Sequence, residues 1–231
     1  MDTQIEIHKA QAQILKVLLF KPQARFRDLN VTGLTTDHFT FHLKQLLESG
    51  LIDKSGNGYQ LTVMGKEFAN RFDTETAQIE RQAKLGVAIT GIKIEGKTMR
   101  FLVQQRLKQP YYGYYGSITG KVRWGETVEE TAKREFLEET GLAGKFELMA
   151  IKHKMDYSQD NKMLEDKFFF VFKVVNPTGK LITDFEGGRN QWLTKKEIVK
   201  LQLFPDYMQT FKIIKQKTLA FVETKYIVPS Y

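Results

Sequence analysis

The chain has 231 residues, no cysteine, five prolines and a hydrophobic content of 42%; at roughly 150 residues per domain, that allows one large domain or two small ones. Without cysteine there is no disulfide scaffold, no thiol nucleophile and no thiolate-held zinc. No apolar run approaches the roughly 20 residues of a membrane span, and the N-terminus lacks a signal-peptide core, so the reading is a soluble, cytoplasmic protein with no membrane partner. The net charge of +8 is unevenly placed: residues 1–80 hold 9 Lys/Arg against 10 Asp/Glu, and residues 81–231 hold 26 against 17. A basic excess confined to the second part suits an anionic small ligand as well as nucleic acid.

In chain order, Ile5 to Phe20 carries apolar residues at helical spacing (Ile7, Ala10, Ile14, Leu15, Leu18), and Pro22 ends that helix. Phe26 to Leu29 is a short second element. Thr35 or Thr36 caps a third helix that runs to about Ser49, with Phe39, Leu43, Leu46 and Leu47 as its buried stripe and Gly50 as its stop. Leu51–Lys54 and Tyr59–Thr62, joined by Ser55-Gly56-Asn57-Gly58, form a tight hairpin, and a last helix covers about Val63 to Arg71. Residues 73–84 are polar and free of glycine and proline, a connector between a domain at 1–72 and another at 85–231. In the second domain, strands are predicted at Leu85–Ile94 and Met99–Arg106 around a turn at Glu95-Gly96, and again at Phe146–Met155 and Phe168–Val175. Helices are predicted at 128–140 and within 194–218, with Trp192 packing just before the capping box of Thr194 and Glu197.

The most informative stretch is Gly120 to Leu142, GKVRWGETVEETAKREFLEETGL. Thr127 with Glu130 forms a capping box and Gly141 a stop, so a helix spans the segment between. At 100° per residue, Glu135, Glu138 and Glu139 fall within an arc of about 100° that borders the apolar sector of Val128, Ala132 and Phe136. Three like charges beside a buried face are costly unless a cation joins them. All-oxygen ligands select a hard ion, magnesium or manganese. Arg134 lies four residues from both Glu130 and Glu138 and can hold a carboxylate through its fork. Glu126 sits in a loop that can fold back on the helix, and Gly120 marks a close backbone approach whose carbonyl is a further candidate ligand.

These residues fit G-x5-E-x7-R-E-U-x-E-E-x-G-U at every specified position: Gly120, Glu126, Arg134, Glu135, Phe136, Glu138, Glu139, Gly141 and Leu142. A chance match has a probability on the order of 10⁻⁹ per start position at average residue frequencies. The stretch resembles the Nudix hydrolase signature. The resemblance implies an α/β/α sandwich around a mixed sheet, and cleavage of a nucleoside diphosphate linked to another moiety, with magnesium or manganese. By this resemblance Gly120, Glu135, Glu138 and Glu139 hold the metal, Arg134 orients the acids, and Glu135 or a later acid activates water. Two departures stand out: Ile118-Thr119-Gly120 replaces the frequent Pro-Gly-Gly, and Trp124 fills a loop position that is more often small or polar.

Around this box, Arg106 ends a strand where relatives often meet substrate phosphate. Tyr111, Tyr112, Tyr114 and Tyr115 precede the box, and Tyr114 is the candidate to stack on a base. Glu165, downstream, is the candidate additional catalytic acid. Tyr157 lies where subfamilies diverge, with no proline until Pro177, which disfavours the ADP-ribose class.

The first domain resembles a winged helix-turn-helix of the ArsR and MarR type through His42-Leu43-Lys44-Gln45-Leu46, Ser49-Gly50-Leu51-Ile52, Tyr59-Gln60-Leu61-Thr62 and Gly65-Lys66. That resemblance makes the helix at 36–49 a recognition helix, offering Thr36, His38, Thr40 and Lys44, with Lys54 on the wing. Two readings follow: a metal-dependent pyrophosphohydrolase with an accessory winged helix, or a DNA-binding transcription regulator whose second domain senses a nucleotide. A homodimer suits DNA reading, since a domain with a slight acidic balance makes few phosphate contacts alone.

Overall fold

The computed structural model describes residues 7–31, 33–73, 75–77, 79 and 81–229. The chain divides into two compact units, 1–81 and 82–231.

The first unit runs α1 (Lys9–Phe20), α2 (Phe26–Leu29), α3 (Thr36–Glu48), β1 (Ile52–Ser55), β2 (Gly58–Leu61) and α4 (Val63–Ala69). The first helix starts at Lys9 because His8 caps it: its ring accepts from the Ala10 N–H, and the Gln11 side chain accepts from the His8 N–H at 2.8 Å. The predicted start at Ile5 lies outside the described residues. Thr35 is the N-cap of α3. Phe39, Leu43 and Leu46 of that helix pack with Ile14, Leu15 and Leu51 in one apolar core. Thr62 caps α4, taking the Gly65 N–H at 2.9 Å. Described residues after α4 pack onto this unit. Ala77 enters its core, the Lys16 ammonium donates to the Glu75 carbonyl at 2.9 Å, and Asp73 takes the Glu75 and Thr76 amides.

The second unit contains β3 (Lys84–Glu95), β4 (Thr98–Arg106), β5 (Tyr115–Gly116), β6 (Ile118–Lys121), α5 (Val128–Thr140), β7 (Leu142–Ala143), β8 (Phe146–Tyr157), β9 (Met163–Val175), β10 (Thr178–Gly179), β11 (Asp184–Phe185), β12 (Gly188–Leu193), α6 (Lys195–Ile198), α7 (Tyr207–Ile213) and β13 (Ala220–Ile227). The main sheet has the order β11-β12-β4-β3-β9-β8-β13, with β5 beside β4 and β6 beside β3. The β3–β9 and β8–β13 pairs are parallel and the others antiparallel, so the sheet is mixed.

Alternation along the central strands builds one core on each face. Val87, Ile89 and Leu102 face α5 through Ala132 and Phe136. Ala88, Ile92, Phe101 and Val103 face α6 and α7 through Ile198, Tyr207 and Phe211. The central strand β3 is therefore apolar on both sides, as a sheet covered on both faces demands. The result is three layers, helix, sheet and helix. Phe136 is fully buried, and truncating such a ring costs about 3–5 kcal/mol, so α5 is firmly seated on the sheet. Among the described residues, no helix is long and apolar enough to cross a membrane.

Candidate functional site

The box helix α5 is capped at both ends as its sequence requires. Thr127 and Glu130 exchange hydrogen bonds, and Gly141 closes the helix in the left-handed conformation at φ 70°. This fixes the rotation of α5, with Ala132 and Phe136 inward and the acids along the edge that meets β6.

The tightest contact there is between Glu135 and Gly120. A Cβ built on Gly120 would lie 2.0 Å from Glu135 Cγ and 2.1 Å from its Cδ. The carboxylate thus rests directly on the backbone of β6. Arg134 holds the surrounding acids. Its Nε and Nη2 donate to the two oxygens of Glu126 at 2.6 and 2.8 Å, and its Nη1 donates to Glu135 at 2.7 Å and to Glu138 at 3.3 Å. The Thr131 hydroxyl adds a 2.8 Å bond to Glu126. Of the two acids four residues from Arg134, Glu138 is the partner, because Glu130 is committed to the cap. The Arg134 fork holds the Glu126 carboxyl down at about 2, and Glu126 in turn keeps the guanidinium above its ordinary value.

Glu139 points elsewhere. Gln104 of β4 donates to it at 2.8 Å, and Asn190 of β12 donates to its main-chain carbonyl at 2.7 Å and to that of Ile182 at 2.9 Å. Burial raises the Glu139 carboxyl above its usual range, with the nearby Glu135 charge acting in the same direction. The sequence reading missed Gln104 and Asn190. The signal was a polar residue at the end of the apolar run FLV in β4, together with a buried asparagine on a strand.

A cleft of about 650 Å³ brings Gly120, Glu135, Glu139 and Glu165 together under a basic rim that includes Arg106, Lys108, Lys121 and Arg123. Its size is that of a small-ligand site. Glu138 is exposed beside it, paired with Arg134 and 3.9 Å from Arg123. Among the described residues, no group of three or more His, Cys, Asp or Glu side chains converges as a metal site. The three box glutamates are thus divided between the arginine clamp and Gln104. The oxygen-only donors of the cleft, and a half-buried Glu139 that burial disfavours in its charged form, nonetheless fit a hard divalent cation.

Glu165 lies inside β9, which starts five residues earlier than predicted, at Met163. It is buried, opposite Asp156 of β8, and ion-paired with Lys167. Arg106 lines the cleft while donating to the carbonyls of Pro110 and Gln109 at 2.6 and 3.1 Å. Tyr114 packs with Tyr111, Phe204 and Val228 in a small core and is not among the residues that line the cleft. His153 bonds Asp166 and Glu223 at 2.8 Å each, which raises its pKa and leaves it out of the site.

A smaller cavity of about 90 Å³ adjoins the cleft, and the two share Arg106, Pro110, Thr119, Glu165, Lys167 and Phe169. In the first unit, Thr36, His38, Thr40 and Lys44 of α3 and Lys54 of β1 are all exposed.

The family model for the NUDIX domain matches residues 84–216. The oxidized purine nucleoside triphosphate hydrolase of Mus musculus is 34% identical over 109 residues, which is 46% of this chain and 65% of that protein. The ADP-ribose pyrophosphatase of Methanocaldococcus jannaschii is 32% identical over 91 residues, 39% of this chain and 54% of that protein. The chain thus spans less than two thirds of each of these curated relatives. Among solved structures, the mMutator MutT protein of Bacillus halodurans superposes with a TM-score of 0.53 at 23% identity, over 62% of this chain and 90% of that one. That likeness is one of fold.

Proposed function

The chain belongs to the Nudix family, and from that premise we propose that it is a metal-dependent pyrophosphohydrolase that cleaves a nucleoside diphosphate linked to another moiety. The observation that carries the reading is the acid array on α5, with Glu135 seated on Gly120 and Arg134 gripping Glu126, Glu135 and Glu138. Solvated surface acids have no need of such a clamp. The curated relatives act, by their names, on an oxidized purine nucleoside triphosphate and on ADP-ribose, which supports a nucleotide anhydride as substrate.

Glu135, Glu138, Glu139 and the Gly120 carbonyl would hold magnesium or manganese. Such an ion, when bound, lowers the pKa of its water and neutralises charge on the pyrophosphate. The chain's own contributions are positional and electrostatic. The Arg134–Glu126 pair fixes the orientation of Glu135, and the Gln104 amide fixes that of Glu139. Lys108, Lys121, Arg123 and Arg106 of the cleft face the substrate phosphates. A water oxygen bonds to phosphorus, its proton passes to Glu135 or Glu165, and the bridging oxygen departs with the electron pair of the broken P–O bond. Glu165→Gln separates these two bases: it lowers turnover sharply only where Glu165 takes the proton. The overall test is a screen for phosphate or nucleotide release from nucleoside diphosphate derivatives, with magnesium and with chelator. Absence of metal-dependent release from every class tested would overturn the reading.

The second reading is a regulator whose first unit is a winged helix that binds duplex DNA, as a homodimer, while the Nudix unit senses a nucleotide. The favouring observation is that Thr36, His38, Thr40, Lys44 and Lys54 are all exposed, four of them on the same helix. Hydrolysis of the effector by the same protein is compatible with this role.

A further inference from the structure

The cavity of about 90 Å³ beside the cleft is unusual in its lining. Lys152, Lys154 and Lys167 stand on one face of β8 and β9, and Arg106 shares the lining with them. Lys152 is almost wholly buried. One water needs roughly 15 Å³ of such space, so the cavity has room for a group of several atoms.

The hydrogen-bond inventory of this lining is weighted towards donors. All three protons of Lys152 are engaged, by the Asp206 carbonyl at 3.0 Å, the Asp206 carboxylate at 2.6 Å and the Thr210 hydroxyl at 2.8 Å. Lys167 gives a proton to Glu165. Lys154 gives one to Asp156 and lies 5.5 and 5.7 Å from the ring centroids of Tyr111 and Tyr226. An ammonium has three protons, so Lys154 and Lys167 retain donors beyond their ion pairs. Tyr207 lines the same cavity, and its hydroxyl is buried with no hydrogen-bond partner. Burying such a group unsatisfied costs about 1–3 kcal/mol, so its position calls for an acceptor. The lining holds four cationic side chains and two carboxylates, Glu165 and Asp206; Asp156, which takes bonds from Lys154 and Tyr111 on one oxygen and none on the other, is not part of it.

We propose that this cavity is a subsite for a small anionic group, a phosphate or a carboxylate, borne by the substrate in addition to the pyrophosphate that is cleaved. This deepens the hydrolase reading and rests on it. Arg106, Glu165 and Lys167 line both spaces, so a single ligand extends from the cleft into the subsite. The preferred substrate is then a nucleoside diphosphate derivative with a further phosphate or carboxylate.

The test uses two substrate pairs, each differing by one anion: NADP+ against NAD+ for phosphate, and UDP-glucuronate against UDP-glucose for carboxylate. Binding is measured by calorimetry with chelator present, and kcat/KM with magnesium. At least one pair is expected to favour its anionic member by roughly 10-fold or more, as a hydrogen bond to a charged group allows. The pair that does so identifies the anion. Tyr207→Phe removes only the hydroxyl, so the fold is expected to be unharmed or slightly stabilised, and the preference is expected to shrink severalfold. A preference under 3-fold in both pairs, or one that Tyr207→Phe leaves unchanged, overturns the subsite. No metal-dependent hydrolysis of any of the four, with anion preference intact in the binding data, instead indicts the hydrolase reading alone.

Discussion

Glu135 occupies the volume that a side chain at position 120 would need: its Cγ lies 2.0 Å from where the Cβ would stand. The backbone of Gly120 is not in the left-handed region, so alanine is sterically the only difficulty. Gly120→Ala is expected to push Glu135 off β6. The cost in stability is about 1–3 kcal/mol, typical of overpacking, and turnover falls at least roughly 10-fold because a displaced carboxylate no longer meets the reacting atoms. Urea denaturation and steady-state kinetics measure the two effects separately. Wild-type turnover in Gly120→Ala would contradict the placement of Glu135 at the reaction centre.

The Arg134 clamp leads to a pH prediction. Glu126 has its carboxyl lowered to about 2, first by its bonds to Arg134 and then by Thr131 and the Arg123 amide. Its stabilising contribution is present above the ordinary glutamate value and is lost as pH falls towards about 2. Stability of the wild-type second unit is therefore expected to decline through this acid window, and Glu126→Gln to flatten the decline. Arg134→Lys cannot form the fork. Its Glu126 carboxyl is expected to titrate near the ordinary value in carboxyl-detected NMR, with turnover at least roughly 10-fold lower. An unmoved Glu126 titration would show that the clamp is not what holds it down.

Glu139 has the opposite sign. Burial raises its carboxyl, so the folded state binds this proton more tightly than the unfolded chain does. Its contribution to stability is full below the unfolded value and is lost as pH rises through the folded one. At neutral pH the ionised carboxylate is a burden that a cation relieves. Glu139→Gln is expected to raise Tm of the metal-free protein, to remove most of the stabilisation added by magnesium, and to cut turnover at least roughly 10-fold. A fall in metal-free Tm would mean that the charge is satisfied without an ion.

The box was legible because its signals are local. Thr127, Glu130 and Gly141 dictate where the helix starts and stops, and periodicity then places Glu135 and Glu139 on its sheet-facing edge. What escaped depends on partners distant in sequence. Strand β12 was not predicted, and its Asn190 reaches α5 only because β12 pairs with β4. Strand β13 was also missed; its burial alternates, but its pairing partner β8 lies some 70 residues earlier. The packing of Tyr114 was illegible for the same reason, since Phe204 and Val228, which pack with it, come from the far end of the chain. For the polar stretch after α4, composition suggested a connector, whereas Ala77 packs into the core of the first unit.

That packing bears on separability. The charge balance changes near residue 80, and the compact units meet at Arg81 and Gln82. Limited trypsin digestion is expected to cut at Arg81 or Lys84 and to leave two stable fragments, the smaller retaining Ala77. Loss of both halves together, with no protected fragment, would show one cooperative body.

The last prediction concerns duplex DNA. If the first unit reads it, affinity falls with salt, because each neutralised phosphate releases counterions, with a log–log slope of about −0.9 per phosphate. Residues 1–80 carry only 9 Lys/Arg against 10 Asp/Glu, and Lys44 lies 3.6 Å from Glu48. The contacts available to one protomer are few, so a monomer binds weakly. A dimer doubles them and spans two half-sites one helical turn apart, so specific binding is expected to be dimeric and to select an inverted repeat. Lys54→Ala is expected to weaken all sequences alike and to reduce the slope by about one unit per protomer. Thr40→Ala alters sequence choice only where that side chain meets a base edge. A nucleotide bound by the second unit changes DNA affinity if it favours one arrangement of the chain, and linkage makes the effect reciprocal. Titration of labelled promoter fragments across salt, with and without nucleotide, measures all of these. Absent or salt-insensitive binding at micromolar protein would retire the regulator reading and leave α3, with Phe41 57% exposed, as a surface for protein assembly. Equal affinity with and without nucleotide would keep DNA binding and remove the sensor.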